Sequence, residues 1–312
     1  MPPTLDDLGI VIVTYNNADE IGRCLDAVQK HAGGAYVVVR DCNSADSTAE
    51  VARAHPAVTR VIEGANVGFG AGCNDAVRAI DRPVEMILIL NPDTALTDDL
   101  GELLTHVQKL GRFGAVGIRQ QSFAGQLVWS WDEFPSPRLE WQKARKQLLL
   151  QRSPAGYTHD RAVDWVMGAF ILTPKEAFDE LGGFDERFFM FNEEVDLCRR
   201  LQDRGRPTYF VSHLSYSHNR ADKGTLWRET LRINSRREYD KKWLSRTDTL
   251  KCQLAQSYRW IHDAIRPEKP KDRRLVLPRL LATWGLIKAI TPPESIASGT
   301  DSWHAVKPFW KA

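Results

Sequence analysis

No stretch of this chain approaches the roughly 20 consecutive apolar residues that a membrane-spanning helix needs. The nearest, Leu275 to Ile290, is interrupted by Arg279 and Lys288. An excess of one charge is missing as well: 42 Lys and Arg stand against 40 Asp and Glu, which excludes a nucleic-acid binder built on bulk charge. The opening MPPTLDDLG has neither the basic start nor the apolar middle of a secretory leader. Cys24, Cys42, Cys73, Cys198 and Cys252 are too scattered for a disulfide framework or a zinc pattern, and fit reduced thiols. From these absences we expect a cytoplasmic protein. No GxxxxGK[ST] occurs, so a P-loop is excluded, and no GxGxxG follows the first apolar run.

What is present is led by VEMILILNPD, Val84 to Asp93, an apolar run that stops at an amide, a proline and a carboxylate. Without polar alternation it reads as a strand buried on both faces of a parallel sheet. Ligands of open α/β sheets gather at the carboxyl ends of strands, where Asn91 and Asp93 would stand. Two such oxygen-bearing side chains suit a hard divalent cation. They equally suit a turn leading to a helix that starts at Thr97-Asp98-Asp99.

Other apolar runs follow the same plan. Leu8 to Val13 leads into Thr14-Tyr15-Asn16-Asn17, and Tyr36 to Val39 into Arg40-Asp41-Cys42-Asn43. Val58 to Ile62 leads into the glycine-rich Gly64 to Gly72. Helical spacing lies between them, with Ile21, Leu25 and Val28 in one segment, a segment capped at Asp46 or Ser47 in the next, and Cys73 to Ile80 in a third. Strand and helix alternation predicts an α/β fold with a mostly parallel, doubly wound sheet. Right-handed crossovers would then bring Thr14, Tyr15, Asp41, Asn66, Asn91 and Asp93 to one edge. That edge suits a nucleotide with a metal-bound diphosphate.

After Leu110 the pattern loosens. Short strands are expected at Ala115 to Ile118 and Gln126 to Trp129, followed by a loop at Phe134 to Pro137 and a basic segment from Lys143 to Arg152. Trp129, Trp131 and Trp141 fit core packing, with a sugar contact as the alternative. Val163 to Thr173 reads as a strand interrupted by Gly168, a sign of close approach by a ligand or backbone. A helix starting near Asn192 puts Glu194 on one face with Leu197, Cys198 and Leu201. A carboxylate on an apolar helix face is costly unless used, which fits a general base. Acidic enrichment of a first helical turn explains Glu193 and Glu194 equally well. Asp196 and Arg200, four apart, read as a helix-surface ion pair. After a short strand at Pro207 to Val211 come His213 and His218, and an imidazole there could complete a metal site begun by Asp93.

Taken in order, VIVTYNN, the Asp41 to Asp46 segment, ANVGFGAGCN, LILNPDT, WVMGAF, GGFDERFFMFNEEVDLCRRL and the late histidine resemble the inverting family 2 glycosyltransferases, particularly their rhamnosyltransferase-like branch. The resemblance runs over about residues 8 to 243. It implies a GT-A fold, a dTDP- or UDP-linked sugar donor and Mn2+ or Mg2+. It also implies roles: Thr14, Tyr15 and Asn16 line the base pocket, Asp41 reads the base, Asn66 sits near ribose and base, and Asn91 touches the ribose. Asp93 and His218 would hold the metal. Gly168 and Ala169, with Trp165 ahead of them, would border the sugars. Glu194 would be the catalytic base, with Glu193 in reserve. Two positions depart from the family pattern: Cys42 stands in place of an Asn, and Glu194 in place of an Asp, one methylene longer.

The expected organisation is a catalytic domain over residues 1–245 and a helical extension over 246–312. In the extension, Leu275 to Ile290 could form an amphipathic helix that packs internally or touches a membrane surface. Acceptors of glycan, lipid-linked or small-molecule type, a peripheral membrane contact and a homodimer stay open. A sugar-nucleotide pyrophosphorylase is the alternative enzyme, although TYNNADE stands where its glycine-rich basic loop belongs. A catalytically silent nucleotide-sugar binder is the third reading.

Overall fold

The computed structural model describes residues 3–145, 153–219, 226–265, 273–289 and 306–308. The chain divides into two compact units. The first comprises residues 1–134, 150–189 and 193–220; the second comprises 135–149, 190–192 and 221–312. The boundary expected near residue 245 concerns function, whereas these units follow packing.

The first unit opens with β1 (Leu8–Thr14), α1 (Ala18–His31), β2 (Tyr36–Asp41), α2 (Thr48–Ala54), β3 (Arg60–Glu63), α3 (Phe69–Arg78) and β4 (Met86–Leu90). Every residue of β1, β2 and β4 is buried, as their unbroken apolar runs require. Next come β5 (Thr94–Leu96), α4 (Leu100–Val107), β6 (Ala115–Gln121), β7 (Leu127–Val128) and β8 (Trp131–Asp132). The unit closes with β9 (Arg161–Val163), β10 (Trp165–Val166), β11 (Phe170–Pro174), α6 (Lys175–Glu180), α7 (Glu193–Asp203) and β12 (Thr208–His218). The second unit holds α5 (Pro137–Ala144), α8 (Leu226–Trp243), α9 (Arg246–Ile265), α10 (Arg273–Thr283), β13 (Ile287–Ala289) and β14 (Val306–Pro308).

One mixed sheet runs β3-β2-β1-β4-β11-β6-β12-β5, with β7 beside β6 and β9 beside β12. β3, β2, β1 and β4 are mutually parallel, and β6 is parallel to β12. β11 runs antiparallel between β4 and β6, and β5 antiparallel to β12. The α/β alternation expected is therefore observed, in a mixed sheet whose first half, β3-β2-β1-β4, is parallel. Ile10, Ile12, Leu88, Leu90, Val116 and Leu172 lie in its main core.

Only Asn91, Pro92 and Asp93 separate β4 from β5, yet β5 pairs with β12, three places beyond β4 in the sheet. So short a link is possible only because the sheet curls at this end, bringing the end of β12 back toward the end of β4.

Several local expectations change. α3 begins at Phe69, so Gly70 and Gly72 lie inside a helix and not in an open loop. The strand expected to stop at Val211 continues to His218 and carries both histidines. Asp196 does pair with Arg200 at 2.7 Å, but it is fully buried and not on the surface. Asp99 caps α4 by accepting from Gly101 N at 2.6 Å. For α2, Ser47 takes the N-cap position without a side-chain cap bond, and Asp46 Oδ1 accepts from Thr48 N at 3.1 Å. Trp131 is buried between Tyr157 and Phe210.

The amphipathic helix expected over Leu275 to Ile290 ends at Thr283. Gly285 takes φ +74°, and Leu286 N donates back to Leu281 O at 2.8 Å, the 6→1 bond of a Schellman stop. Most of the basic segment from Lys143 to Arg152 lies outside the described residues. No helix among the described residues is long and apolar enough to cross a membrane.

Candidate functional site

Parallel pairing sets Thr14 beside Asp41 at the carboxyl ends of β1 and β2. Asp41, 2 % exposed, accepts from Thr14 Oγ1 at 2.8 Å, from Ser44 Oγ at 2.6 Å and from Ser44 N at 2.9 Å. A carboxylate with three donors is fixed in direction and leaves little of its hydrogen-bonding capacity free. Asn16, at φ +55°, has its own work: its Oδ1 accepts from Ala45 N at 2.7 Å, and its N donates to Ser44 Oγ at 2.9 Å. Tyr15 is partly open to solvent at the mouth of the edge. Cys42 is buried against Arg40, and desolvation pushes its thiol up to about 11, so it is a neutral packing group.

Arg40 holds the next loop. It donates to Gly64 O and Ala65 O, each at 3.0 Å, and pairs with Asp75 at 3.2 Å. In that loop Asn66 Oδ1 accepts from Gly68 N at 3.2 Å, so Asn66 fixes its own turn. Gly68 takes φ +92°, and a Cβ there would fall 2.2 Å from Phe189 O. The same carbonyl accepts from Phe69 N at 2.8 Å. Asn74 of α3 pairs with the backbone of Phe184 in both directions, at 3.0 and 2.8 Å. These contacts fasten α3 to the segment that precedes α7.

At the end of β4, Asn91 O accepts from Thr94 N at 3.3 Å and from Thr94 Oγ1 at 2.7 Å. Pro92 at the second position of this turn presets its backbone. Asp93 is thereby turned toward β12, where His218 stands opposite Thr94. His218 Nε2 lies 3.1 Å from Asp93 Oδ1, and Asn219 N donates to Asp93 O at 2.9 Å. One oxygen and one nitrogen this close can both reach a single divalent cation at about 2.1 Å, so the residues present fit such an ion.

Asn91 N donates to Ala169 O at 3.1 Å, which joins this edge to the break between β10 and β11. There Gly168 lies against Glu194, and a Cβ at position 168 would sit 3.5 Å from Glu194 Cβ. Asn91, two residues before Asp93, is thus linked through Ala169 and Gly168 to Glu194. Trp165 is turned elsewhere: it is buried, its Nε1 donates to Glu133 O at 2.9 Å, and Trp129 stands edge-on to it at 6.0 Å.

Glu193 and Glu194 open α7 but face different neighbours. Glu194 meets Gly168, whereas Glu193 packs beside Gly70 and is close enough to Cys73 for its charge to raise that thiol further. Burial, and then the charge of Glu194, push the Glu193 carboxyl well above the usual carboxylate range. Its Oε2 has no hydrogen-bond partner among the described residues. Just upstream, Phe191 and Asn192 take φ +70° and +65°. Positive φ at a phenylalanine is a stored strain of a kind found at functional sites.

Residue-by-residue reading missed Ser44, Arg40 and Asn74, which position the site without facing it. The only available signals were their places within the Asp41 and ANVGFGAGCN segments. A separate surface depression, lined by Val84, Met86, Pro174 and Lys175, lies at the opposite, amino-terminal end of β4.

A curled, mixed sheet with carboxylates and a histidine at its carboxyl edge defines the nucleotide-sugar transferases of the GT-A class. Comparison with known proteins makes the assignment. The profile described as "Glycosyltransferase like family 2" matches residues 3–261, and the chain belongs to that family. It is 28 % identical over 242 residues to the N-acetylglucosaminyl-diphospho-decaprenol L-rhamnosyltransferase of Mycobacterium tuberculosis, covering 69 % of this chain and 77 % of that protein. The rhamnosyltransferase WbbL of Escherichia coli is 27 % identical over 227 residues, covering 68 % of this chain and 85 % of its own. In fold the chain is similar to the mannosyltransferase PcManGT of Pyrobaculum calidifontis, solved with GDP-Man and Mn2+ (TM-score 0.52, 18 % identity, 90 % of this chain and 71 % of that one). It is likewise similar to GalNAc-T7, solved with UDP, GalNAc and Mn2+ (TM-score 0.53, 14 % identity, 68 % and 42 %). The protein is a family 2 glycosyltransferase of the rhamnosyltransferase-like kind, as its motif order implied.

Proposed function

We propose that this glycosyltransferase moves rhamnose from a dTDP- or UDP-linked donor to a hydroxyl of a lipid-linked glycan, with inversion, using residues 1–245 as its catalytic domain. The observation that carries the reading is the run of contacts from the turn that holds Asp93, by Asn91 and Ala169, to Gly168 and Glu194. Rhamnose and a lipid-linked acceptor are supported by the names of the Mycobacterium and Escherichia relatives. A divalent metal is supported by the Mn2+ in the two related structures.

Asp41 and the Thr14-Tyr15-Asn16 turn hold the base, while Asn66 and Asn91 border the ribose. Asp93 and His218 would hold Mn2+ or Mg2+, which would supply positive charge against the diphosphate. Gly168 and Ala169 leave room for the sugar in front of Glu194. Glu194 takes the proton of the acceptor hydroxyl. That oxygen forms a bond to the anomeric carbon as the bond to the diphosphate oxygen breaks, on the opposite face.

The test is turnover of dTDP-rhamnose with Mn2+ and a polyprenyl-diphosphate-linked acceptor, with the product's anomeric configuration read by NMR. Inverted product, lost in Glu194→Gln while the donor still raises the melting temperature, is the expected result. Retained configuration overturns the mechanism. Donor binding without any turnover in the unaltered chain would leave a silent binder.

A further inference from the structure

Away from the donor edge, a second set of nitrogen and oxygen ligands gathers in the first unit. We propose that His106, Asp160 and His213 bind a zinc ion. Their ligand atoms all lie within 4.8 Å of one another, the only such trio of His, Cys, Asp or Glu found among the described residues. His106 comes from the last turn of α4. Asp160 immediately precedes β9, and His213 lies in β12.

The backbone aims His213 at this point. Pairing between β12 and β6 is regular up to Val211, resumes at Ser215, and is broken across the residues between. Bulges of this kind redirect a side chain that regular pleating would send elsewhere. Both ends of the break are pinned. Ser212 N and Oγ each donate to Asp160 Oδ1 at 2.8 Å, and Ser215 N and Oγ donate to Asp98 Oδ2 at 2.7 and 2.9 Å.

The distances suit zinc. Tetrahedral ligands at about 2.0 Å from the metal stand about 3.3 Å apart. His106 Nε2 is 2.8 Å from Asp160 Oδ2, and His213 Nδ1 is 3.9 Å from Asp160 Oδ1, a pair of separations that bracket this spacing. His213 thus offers Nδ1 to the site, and its other ring nitrogen, Nε2, faces Glu102 Oε1 at 3.7 Å from outside the ligand set. The two imidazoles meet edge to face, 4.6 Å between centroids. Two imidazoles and a carboxylate match the donor preference of zinc, and the Ser212 bonds orient the carboxylate as an outer shell does. With three protein ligands, a water molecule would complete the four-coordinate shell. The ion braces α4 and the start of β9 against β12, the strand that ends in His218. None of this depends on the sugar or acceptor proposed above.

The experiment is titration of the full chain, stripped with a chelator, by Co2+, in an Asp93→Ala/His218→Ala background that removes the other metal-binding pair. One equivalent of Co2+ is expected to give the visible absorption of a four-coordinate ion. Zn2+ should displace it, and His213→Ala or His106→Ala/His213→Ala should abolish it. No such absorption, or absorption that survives in the double-histidine variant, overturns the site and leaves a hydrogen-bonded brace. A second measurement covers misfolding of that background: Zn2+ should raise the melting temperature of the otherwise unaltered chain but not of His213→Ala. An equal rise in both, or no rise in either, also overturns it.

Discussion

His218 Nε2 stands 3.1 Å from Asp93 Oδ1, one at the end of β12 and the other in the turn after β4. The pair exists because the three-residue link to β5 closes the sheet on itself. As proposed metal ligands each would supply one atom, so loss of either would leave a weaker site. We expect Asp93→Ala and His218→Ala each to raise the Mn2+ concentration for half-maximal transfer by about tenfold or more, the equivalent of ~1.4 kcal/mol. Activity measured against Mn2+ concentration checks it, and an unchanged requirement in both variants removes them as ligands.

Glu194 is the proposed base. Glu194→Gln should lower kcat by about 10²- to 10⁴-fold, the usual contribution of a positioned base, with little change in donor-induced melting shift. Glu194→Asp tests the extra methylene, and partial activity there would mean that the Gly168 space tolerates either reach. Full activity of Glu194→Gln would pass the role to another group.

Glu193 makes a prediction about pH. Its folded-state pKa is raised above the ordinary 4.5, so the folded protein binds the proton more tightly than the unfolded chain. Stability from this group is fully present below about 4.5 and is lost as pH rises through the folded value. Glu193→Gln, which is neutral at every pH, should flatten that decline in urea denaturation between acid and neutral pH. A slope identical to that of the parent chain would mean that Glu193 is ionised in the fold.

Gly68 is fixed by sterics. Gly68→Ala places a methyl in a left-handed backbone and drives it against Phe189 O. The backbone strain alone costs about 1–3 kcal/mol, and relief of the clash must shift the segment before α7. A lower melting temperature together with weakened transfer is expected; a variant indistinguishable from the parent contradicts the geometry.

In the second unit, Arg236 is buried between Glu140 of α5 and Asp240 of its own helix, at 2.9 and 2.7 Å. Burial raises the Glu140 carboxyl, but Arg236 and the neighbouring Lys143 and Arg259 outweigh it and hold the group at about 2. The stability it supplies is present above about 4.5 and lost as pH falls through about 2. Glu140→Ala leaves a buried cation half-paired and should cost about 3 kcal/mol in denaturant unfolding. A cost near zero would mean that solvent reaches Arg236.

β1, β2 and β4 were legible because their apolar runs are long enough to be buried on both faces and end in polar clusters. Asn91, Pro92 and Asp93 were readable for the same reason. Glu194 was separable from Glu193 only as a position on a helix face, since both fit an acidic first turn. Where expectations changed, the cause lay outside the local sequence. α3 starts early because Gly68 turns the chain against Phe189. β12 outruns its apolar segment because β6 and β5 pair with its polar half.

By itself the sequence determined the α/β alternation, the family and the residues that stand at strand ends, since hydrophobic period and turn chemistry act over a few neighbouring residues. Only the tertiary structure decided which of those residues meet. The curl that joins Asp93 to His218, the different neighbours of Glu193 and Glu194, and the gathering of His106, Asp160 and His213 all depend on pairings between strands and helices far apart in the chain. Such pairings are set by how the whole sheet closes, and no single segment encodes that.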